Sequence, residues 1–575
     1  MLKLYRHLKP YTGYIVLILI LIFMQTMSDL YLPTLMADIV DTGIVNGDTN
    51  YIMKFGSFML LIAAGGAICS IAASYLSSKT AMGLGQILRE KVFTRVESFS
   101  LNEFDNLGAA TMITRTTNDV TQIQQVTIVI LRMMISAPIM CIGGIIMALS
   151  KDKGLTIVLL VAIPILALVI AIIAYKGFPL FKLMQIKLDK LNLVLREGLT
   201  GMRVIRAFNR EDFEIKRFEL ANNDLTQNAI KVNKIMAVMM PVIMLSMNLT
   251  TIAILWFGGI RIDNGEMQVG SLMAFIQYAM QIMFSIVMVT IMFVMIPRAA
   301  ASAVRINEIL DTVPEIVDAK ELQNADSKKG YIEFKDVTFH YPGAEEPALC
   351  NINFNVKPGE FTAIIGGTGS GKSTLINLIP RFYDVHSGSV LVNGIDIRNI
   401  SQDNLRSKIG FVPQKSVLFT GSIADNIRYG KKNATKEEVL KAAETAQAVE
   451  FISEMKEGFD SVISQGGSNL SGGQQQRLSI ARALVRKPEI YIFDDSFSAL
   501  DFKTDSLLRA ALRQETKEST VLIIAQRVAT VMDADRIIVL DDGAVSAIGT
   551  HKELLKTCAV YQEIVSSQLS EEELS

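Results

Sequence analysis

The sequence predicts two bodies in series: a membrane α-helical bundle of six transmembrane helices with long cytoplasmic extensions, then a soluble α/β domain. Three observations predict this. Half of the 575 residues are hydrophobic and the mean hydropathy is +0.35, which is unusual for a soluble domain. Long apolar runs fill the first part of the chain and then stop. From Tyr331 onward, short apolar strands alternate with helical patterns, as a largely parallel core requires.

The apolar runs fall at about 13–33, 52–77, 123–149, 154–175, 235–260 and 271–297. Each is long enough for a ~30 Å hydrocarbon core, which takes about 20 helical residues. The first run is too long for a signal peptide, and no small-residue cleavage site follows it. Lysine and arginine set the orientation. They crowd the N-terminus (Lys3, Arg6, Lys9) and the connections 78–122 and 176–234, but are absent from 33–50. The rich side is cytoplasmic, so the N-terminus and the soluble domain are expected in the cytoplasm of a multi-pass cell (plasma) membrane protein. Two cytoplasmic connections carry helical periodicity and end in breaks, "SLNEFDNLGAA" and "NREDFE". They read as levers that contact something below the membrane.

A net charge of −1 argues against a nucleic-acid partner. Cys69, Cys141, Cys350 and Cys558 fit no metal or disulfide spacing. The domain limits expected are 1–300 for the membrane part, 301–328 for a polar linker and 329–575 for the soluble α/β domain.

The soluble part carries its chemistry in recognisable stretches. "GGTGSGKS" (Gly366, Gly367, Thr368, Gly369, Ser370, Gly371, Lys372, Ser373) follows a strand and, with Thr374, opens a helix. Its glycines let backbone amides wrap phosphates, and the helix start favours anions. Lys372 would reach the β- and γ-phosphates of a bound nucleotide and Ser373 would ligate Mg²⁺. "IYIFDD" ends a buried strand in Asp494, which would hold Mg²⁺ directly or through water. An unpartnered buried aspartate would be costly.

"NLSGGQQQRLSIARAL" lies between these motifs. With it the whole chain resembles the ATP-binding cassette (ABC) exporters, as a half-transporter. The resemblance makes the second body an α/β P-loop ATP-binding cassette with a helical subdomain. It implies that two cassettes enclose two ATP molecules, each between the phosphate loop of one and the signature (Ser471, Gly472, Gly473, Gln474) of the other. It also implies adenine stacking by Tyr341, a γ-phosphate and Mg²⁺ contact from Gln414, and a nucleotide contact from the "SALD" stretch ending in Asp501. The breaks near 101–107 and 208–214 match the family's coupling helices.

Two catalytic positions depart from the family pattern. The glutamate that polarises water is replaced by Asp495, and the switch histidine by Gln526. The shorter side chain falls ~1.5 Å short, and misplacement of about 1 Å can cost ~10²-fold. Glutamine donates a hydrogen bond but cannot become a cation. Gln465 is a third, neutral departure. The intact signature beside this weak site resembles the degenerate-site subunit of bacterial heterodimeric multidrug exporters. The expected partner is therefore a second exporter half with glutamate and histidine in these slots. The rival is a homodimer with two slow sites.

The cargo is less defined. The spans are rich in methionine, which suits cavities that accept many shapes. Asp29 and Arg132 fall in or near the first and third spans, where ionisable groups are functional candidates or structural partners at an interface. A small drug-like or amphipathic substrate is the first expectation. Alternatives are a dedicated lipid or peptide exporter, or a regulatory nucleotide-binding membrane subunit.

Overall fold

The computed structural model describes residues 1–319, 321–323 and 328–568. Positions 320 and 324–327 of the expected linker, and the last residues 569–575, lie outside the described residues. The chain divides into two compact units, Met1–Glu97 with Ala109–Thr312, and Ser98–Gly108 with Val313–Ser575.

The first unit is built from α1 (Thr12–Asp38), α2 (Thr49–Glu97), α3 (Val120–Lys151), α4 (Thr156–Thr200), α5 (Glu211–Asp263) and α6 (Val269–Asp311). The helical segments around these six are long and apolar enough to cross a membrane. The pairs α3–α6, α1–α2 and α4–α5 make the closest packing. A cluster including Leu30, Ala148, Phe275, Tyr278 and Ile282 fills one part of the bundle. The Tyr278 hydroxyl lies 3.1 Å from the Leu30 carbonyl and 2.6 Å from Thr34 Oγ1, so its polar end is satisfied inside apolar surroundings. A buried carboxylate, Asp119, ends a π-helical turn (Arg115–Asp119) and receives hydrogen bonds from Arg305 Nε (2.7 Å) and Ser302 Oγ (2.8 Å). A buried charge needs such a partner, and here the partner ties the start of α3 to the end of α6.

Helix α6 runs to Asp311, into the stretch expected to begin the linker. The reason is periodicity: Ala299, Ala303, Ile306 and Ile309 are fully buried at three- and four-residue spacing, so one helical face keeps packing after the apolar run ends. The second expected break is shorter than 208–214. A short helix (Met202–Ala207) stops and α5 starts at Glu211, with Glu211, Asp212 and Glu214 in its first turn, where acids complement the helix dipole.

The second unit has strands β1 (Ile332–Phe339), β2 (Leu349–Val356), β3 (Phe361–Gly366), β4 (Ser387–Val392), β5 (Ile395–Asp396), β6 (Ile409–Val412), β7 (Gly421–Ser422), β8 (Val462–Ile463), β9 (Ile490–Asp494), β10 (Thr520–Ile524), β11 (Arg536–Asp541) and β12 (Ala544–Gly549). The main sheet has the order β12-β11-β3-β10-β9-β6, parallel except for β12. Every residue of β9 and β10 is buried, which is why both read as continuous apolar runs. An antiparallel sheet, β2-β1-β4-β5, forms a second layer. Helices Ile423–Arg428 and Lys436–Thr445 pack on α8 (Gly472–Leu484) as a helical subdomain. The helix Leu101–Leu107, within the first expected break, belongs to this second unit. Glu103 Oε1 accepts from the Glu315 amide at 2.8 Å. Tyr383 reaches toward Asp105 (3.5 Å), and burial and that carboxylate push its hydroxyl up to about 12.

Candidate nucleotide site

Four neighbouring parallel strands end at one edge of the main sheet and deliver the site. Their register pairs Val412 of β6 with Phe493 of β9, Asp494 with Ile524 of β10, and Ile524 with Ile364 of β3. One or two residues beyond those ends stand Gln414, Asp495, Gln526 and the phosphate loop. Sequence-distant groups therefore meet because the strands stop together.

The loop after β3 turns through Gly369 (φ +86°) and Gly371 (φ +90°) into α7 (Lys372–Leu378). A Cβ at Gly366 would stand 2.2 Å from the Leu540 carbonyl, whereas Gly367 and Gly369 have nothing within 4 Å of theirs. The first glycine is thus required by packing, and the other two leave open space for a ligand to approach the backbone. Lys372 is 9% exposed. Its Nζ donates to the carbonyls of Gly366 (2.9 Å) and Gly367 (2.5 Å) and to Ser370 Oγ (3.2 Å). Burial lowers its pKa, opposed by the charges of Asp495 and Asp494.

The Ser373 hydroxyl donates to Asp494 Oδ1 at 3.1 Å. Asp494 is buried, which raises its pKa, with Ser373 pulling it back down. A hydroxyl and a carboxylate converging this closely form the hard oxygen set that Mg²⁺ prefers, so the residues present fit the ion. Asp495 adopts left-handed backbone (φ +46°), which aspartate tolerates better than most residues. Its Oδ2 accepts from Gln526 Nε2 at 2.9 Å and from Gln414 Nε2 at 3.4 Å. Burial raises its pKa too, against the Gln414 and Ser498 hydrogen bonds.

A cavity of about 570 Å³ is lined by Tyr341, the phosphate loop, Ser373, Thr374, Gln414 and Gln526, with Asp494 and Asp495 behind its lining as hydrogen-bond partners of Ser373, Gln414 and Gln526. The Tyr341 hydroxyl lies 3.0 Å from Thr374 Oγ1, and its ring packs edge-on against Phe339 and Tyr383. Ser370 sits beneath the loop as a partner of Lys372. The signature residues do not line this cavity. Ser471 and Gln474 instead form a reciprocal cap on α8, with Gln474 N to Ser471 Oγ at 3.3 Å and Ser471 N to Gln474 Oε1 at 2.9 Å. Gly472 has open space at its Cβ position, and a Cβ at Gly473 would meet the Ala499 carbonyl at 3.1 Å. Asp501 caps α9 (Phe502–Glu515) by accepting from Thr504 N at 3.0 Å. Asp29 and Arg132 are brought together elsewhere, lining one cavity in the first unit.

Comparison with known proteins agrees with this architecture. The ABC transporter transmembrane region profile matches residues 15–287 and the ABC transporter profile matches 349–498. An uncharacterized ABC transporter ATP-binding protein of Mycobacterium tuberculosis (strain CDC 1551 / Oshkosh) is 43% identical over 98% of this chain and 97% of its own length. The chain belongs to the ABC transporter family. An ATP-dependent lipid A-core flippase of Chromobacterium violaceum is 30% identical over 99% of this chain and 97% of its own. The solved structure of a bacterial Atm1-family ABC exporter with ATP bound superposes with a TM-score of 0.80 at 26% identity, covering 99% of both chains. The protein is thus an ATP-driven ABC exporter half-transporter: a helical, multi-pass membrane domain in a lipid bilayer followed by an α/β nucleotide-binding domain.

Sequence reasoning missed one part of this ABC exporter's site. Ile564, Ser567 and Gln568, from α10 (Ala559–Ser566) and the residues after it, also line the cavity. Gln568 Oε1 accepts from Val528 N at 2.8 Å and its Nε2 donates to the Gln526 carbonyl at 2.7 Å. One side-chain amide therefore grips both sides of the switch position. Nothing local in the sequence marks Gln568; only the amphipathic pattern of 559–566 hints that this helix packs back onto the domain.

Proposed function

We propose that this chain is the degenerate-site subunit of a heterodimeric exporter. It binds Mg-ATP at its own phosphate loop, hydrolyses it slowly, and lends Ser471, Gly472 and Gly473 to the partner's hydrolytic site. The observation that carries the proposal is the Asp495 corner, where a short carboxylate is engaged by two neutral glutamine amides. Neither amide can supply the positive charge that a switch histidine brings to the γ-phosphate. The carboxylate reaches less far toward an attacking water than glutamate would.

In this reading Ser373, Asp494 and Gln414 hold Mg²⁺, and Tyr341 stacks on adenine. The ion, when bound, neutralises charge on the β- and γ-phosphate oxygens. Lys372 leaves its own loop carbonyls for those oxygens. The N-terminus and the cassettes face the cytoplasm, and the helix Leu101–Leu107 transmits cassette closure to the membrane helices. The cargo is amphipathic and leaves the cell; a lipid cargo is the second reading, favoured by the flippase relative. Restoring the family residues tests the proposal. D495E/Q526H is expected to raise hydrolysis at this chain's own phosphate loop by ~10-fold or more. No rise, in a variant that still binds ATP, would count against it.

A further inference from the structure

The first unit holds a cavity of about 370 Å³ between α1, α3 and α6 that gathers Asp29, Arg132 and Gln281. That is room enough for a small ligand. Asp29 is half-buried and Arg132 is exposed. Among the described residues neither forms an ion pair, with the other or with anything else. Gln25 is the polar neighbour of the Asp29 carboxylate. Gln281 Nε2 donates to the Asp29 carbonyl oxygen at 3.1 Å, while its Oε1 is buried with no hydrogen-bond partner.

Ionisable side chains within membrane spans are functional candidates, and these two carry opposite charges with no ion-pair partner. A ligand carrying a single charge satisfies one and leaves the other. A ligand carrying both satisfies both. The orphaned Gln281 oxygen adds a demand for a donor, since leaving a buried acceptor unsatisfied costs more than a made hydrogen bond contributes net. An N–H-bearing ammonium meets that demand and a quaternary ammonium does not. The Arg132 guanidinium is a planar fork suited to a phosphate or carboxylate. Met133, Met140 and Met288, also on the cavity wall, offer adaptable apolar surface to a chain.

The geometry points to a zwitterionic amphiphile as the cargo class: a protonated primary amine at Asp29 and Gln281, a phosphate or carboxylate at Arg132, and an alkyl tail along the methionines. This deepens the export reading above and rests on it for the direction of transport alone.

Calorimetric titration of the protein in nanodiscs, against empty nanodiscs, tests it with matched ten-carbon probes. These are decyl phosphoethanolamine, Nε-decanoyl-lysine, decylphosphocholine, decylammonium and decyl phosphate. At least one of the two N–H zwitterions is expected to bind ~10-fold or more tightly than either singly charged probe, with decylphosphocholine weaker than decyl phosphoethanolamine. The tighter of the two N–H zwitterions identifies a lipid-headgroup or an amino-acid source. D29N is expected to remove the advantage over decyl phosphate, R132Q the advantage over decylammonium, and R132K, which keeps the charge without the planar fork, to keep part of it. Equal binding of decylammonium and both zwitterions would overturn the zwitterion assignment while leaving an amphiphile exporter standing. So would variants that weaken every probe alike. The ATP-site proposal is read separately, by hydrolysis, and none of these outcomes touches it.

Discussion

The Asp495 corner and the signature turn lie in the same cassette and have opposite characters. At the corner, a short acid, Asp495, accepts hydrogen bonds from two amides, those of Gln414 and Gln526. At the turn, Ser471 and Gln474 cap α8 in a complete reciprocal box, and Gly472 leaves the backbone open. In the proposed reading the first surface has lost reach and charge, while the second keeps the groups of the family signature. On that reading the difference separates two duties of a cassette, holding a nucleotide for itself and finishing a site for a partner.

The sharpest way to break that comparison is S471R in the assembled dimer. It removes the α8 cap and fills the open turn. Turnover is expected to fall by ~10²-fold or more, as when a transition-state donor is lost, whereas D495N should change it by less than about twofold. Steady-state hydrolysis by both complexes checks this, and equal losses would erase the distinction. A smaller effect comes from Y341A. Losing the stacking face is expected to weaken ATP binding at this chain's own loop by ~10-fold, measured with a fluorescent nucleotide. Y341F should lose far less, since only the Thr374 contact goes. The smallest comes from Q568A. Releasing the Gln526 carbonyl and the Val528 amide should speed hydrogen exchange at Val528 by a few-fold, on the order of one lost hydrogen bond.

Much of this was legible in the sequence because it was local. Apolar length marked the six spans, and the phosphate loop, the signature and the departures at Asp495 and Gln526 sat in short contiguous stretches. What escaped was tertiary. The continuation of α6 past 300 depends on a buried face of alanines and isoleucines, which hydropathy alone does not display. The grip of Gln568 on the switch position depends on a terminal helix folding back. Asp29 and Arg132 could each be noticed as charges in spans, but their sharing of one cavity, beside an unsatisfied Gln281, is a matter of how α1, α3 and α6 pack.

The most direct test is hydrolysis by the purified chain on its own, set beside the same chain assembled with a second exporter half that carries glutamate and histidine. The account predicts turnover alone at ~1% or less of the assembled rate, with ATP bound and retained. Brisk hydrolysis and transport by this chain without a companion would contradict it.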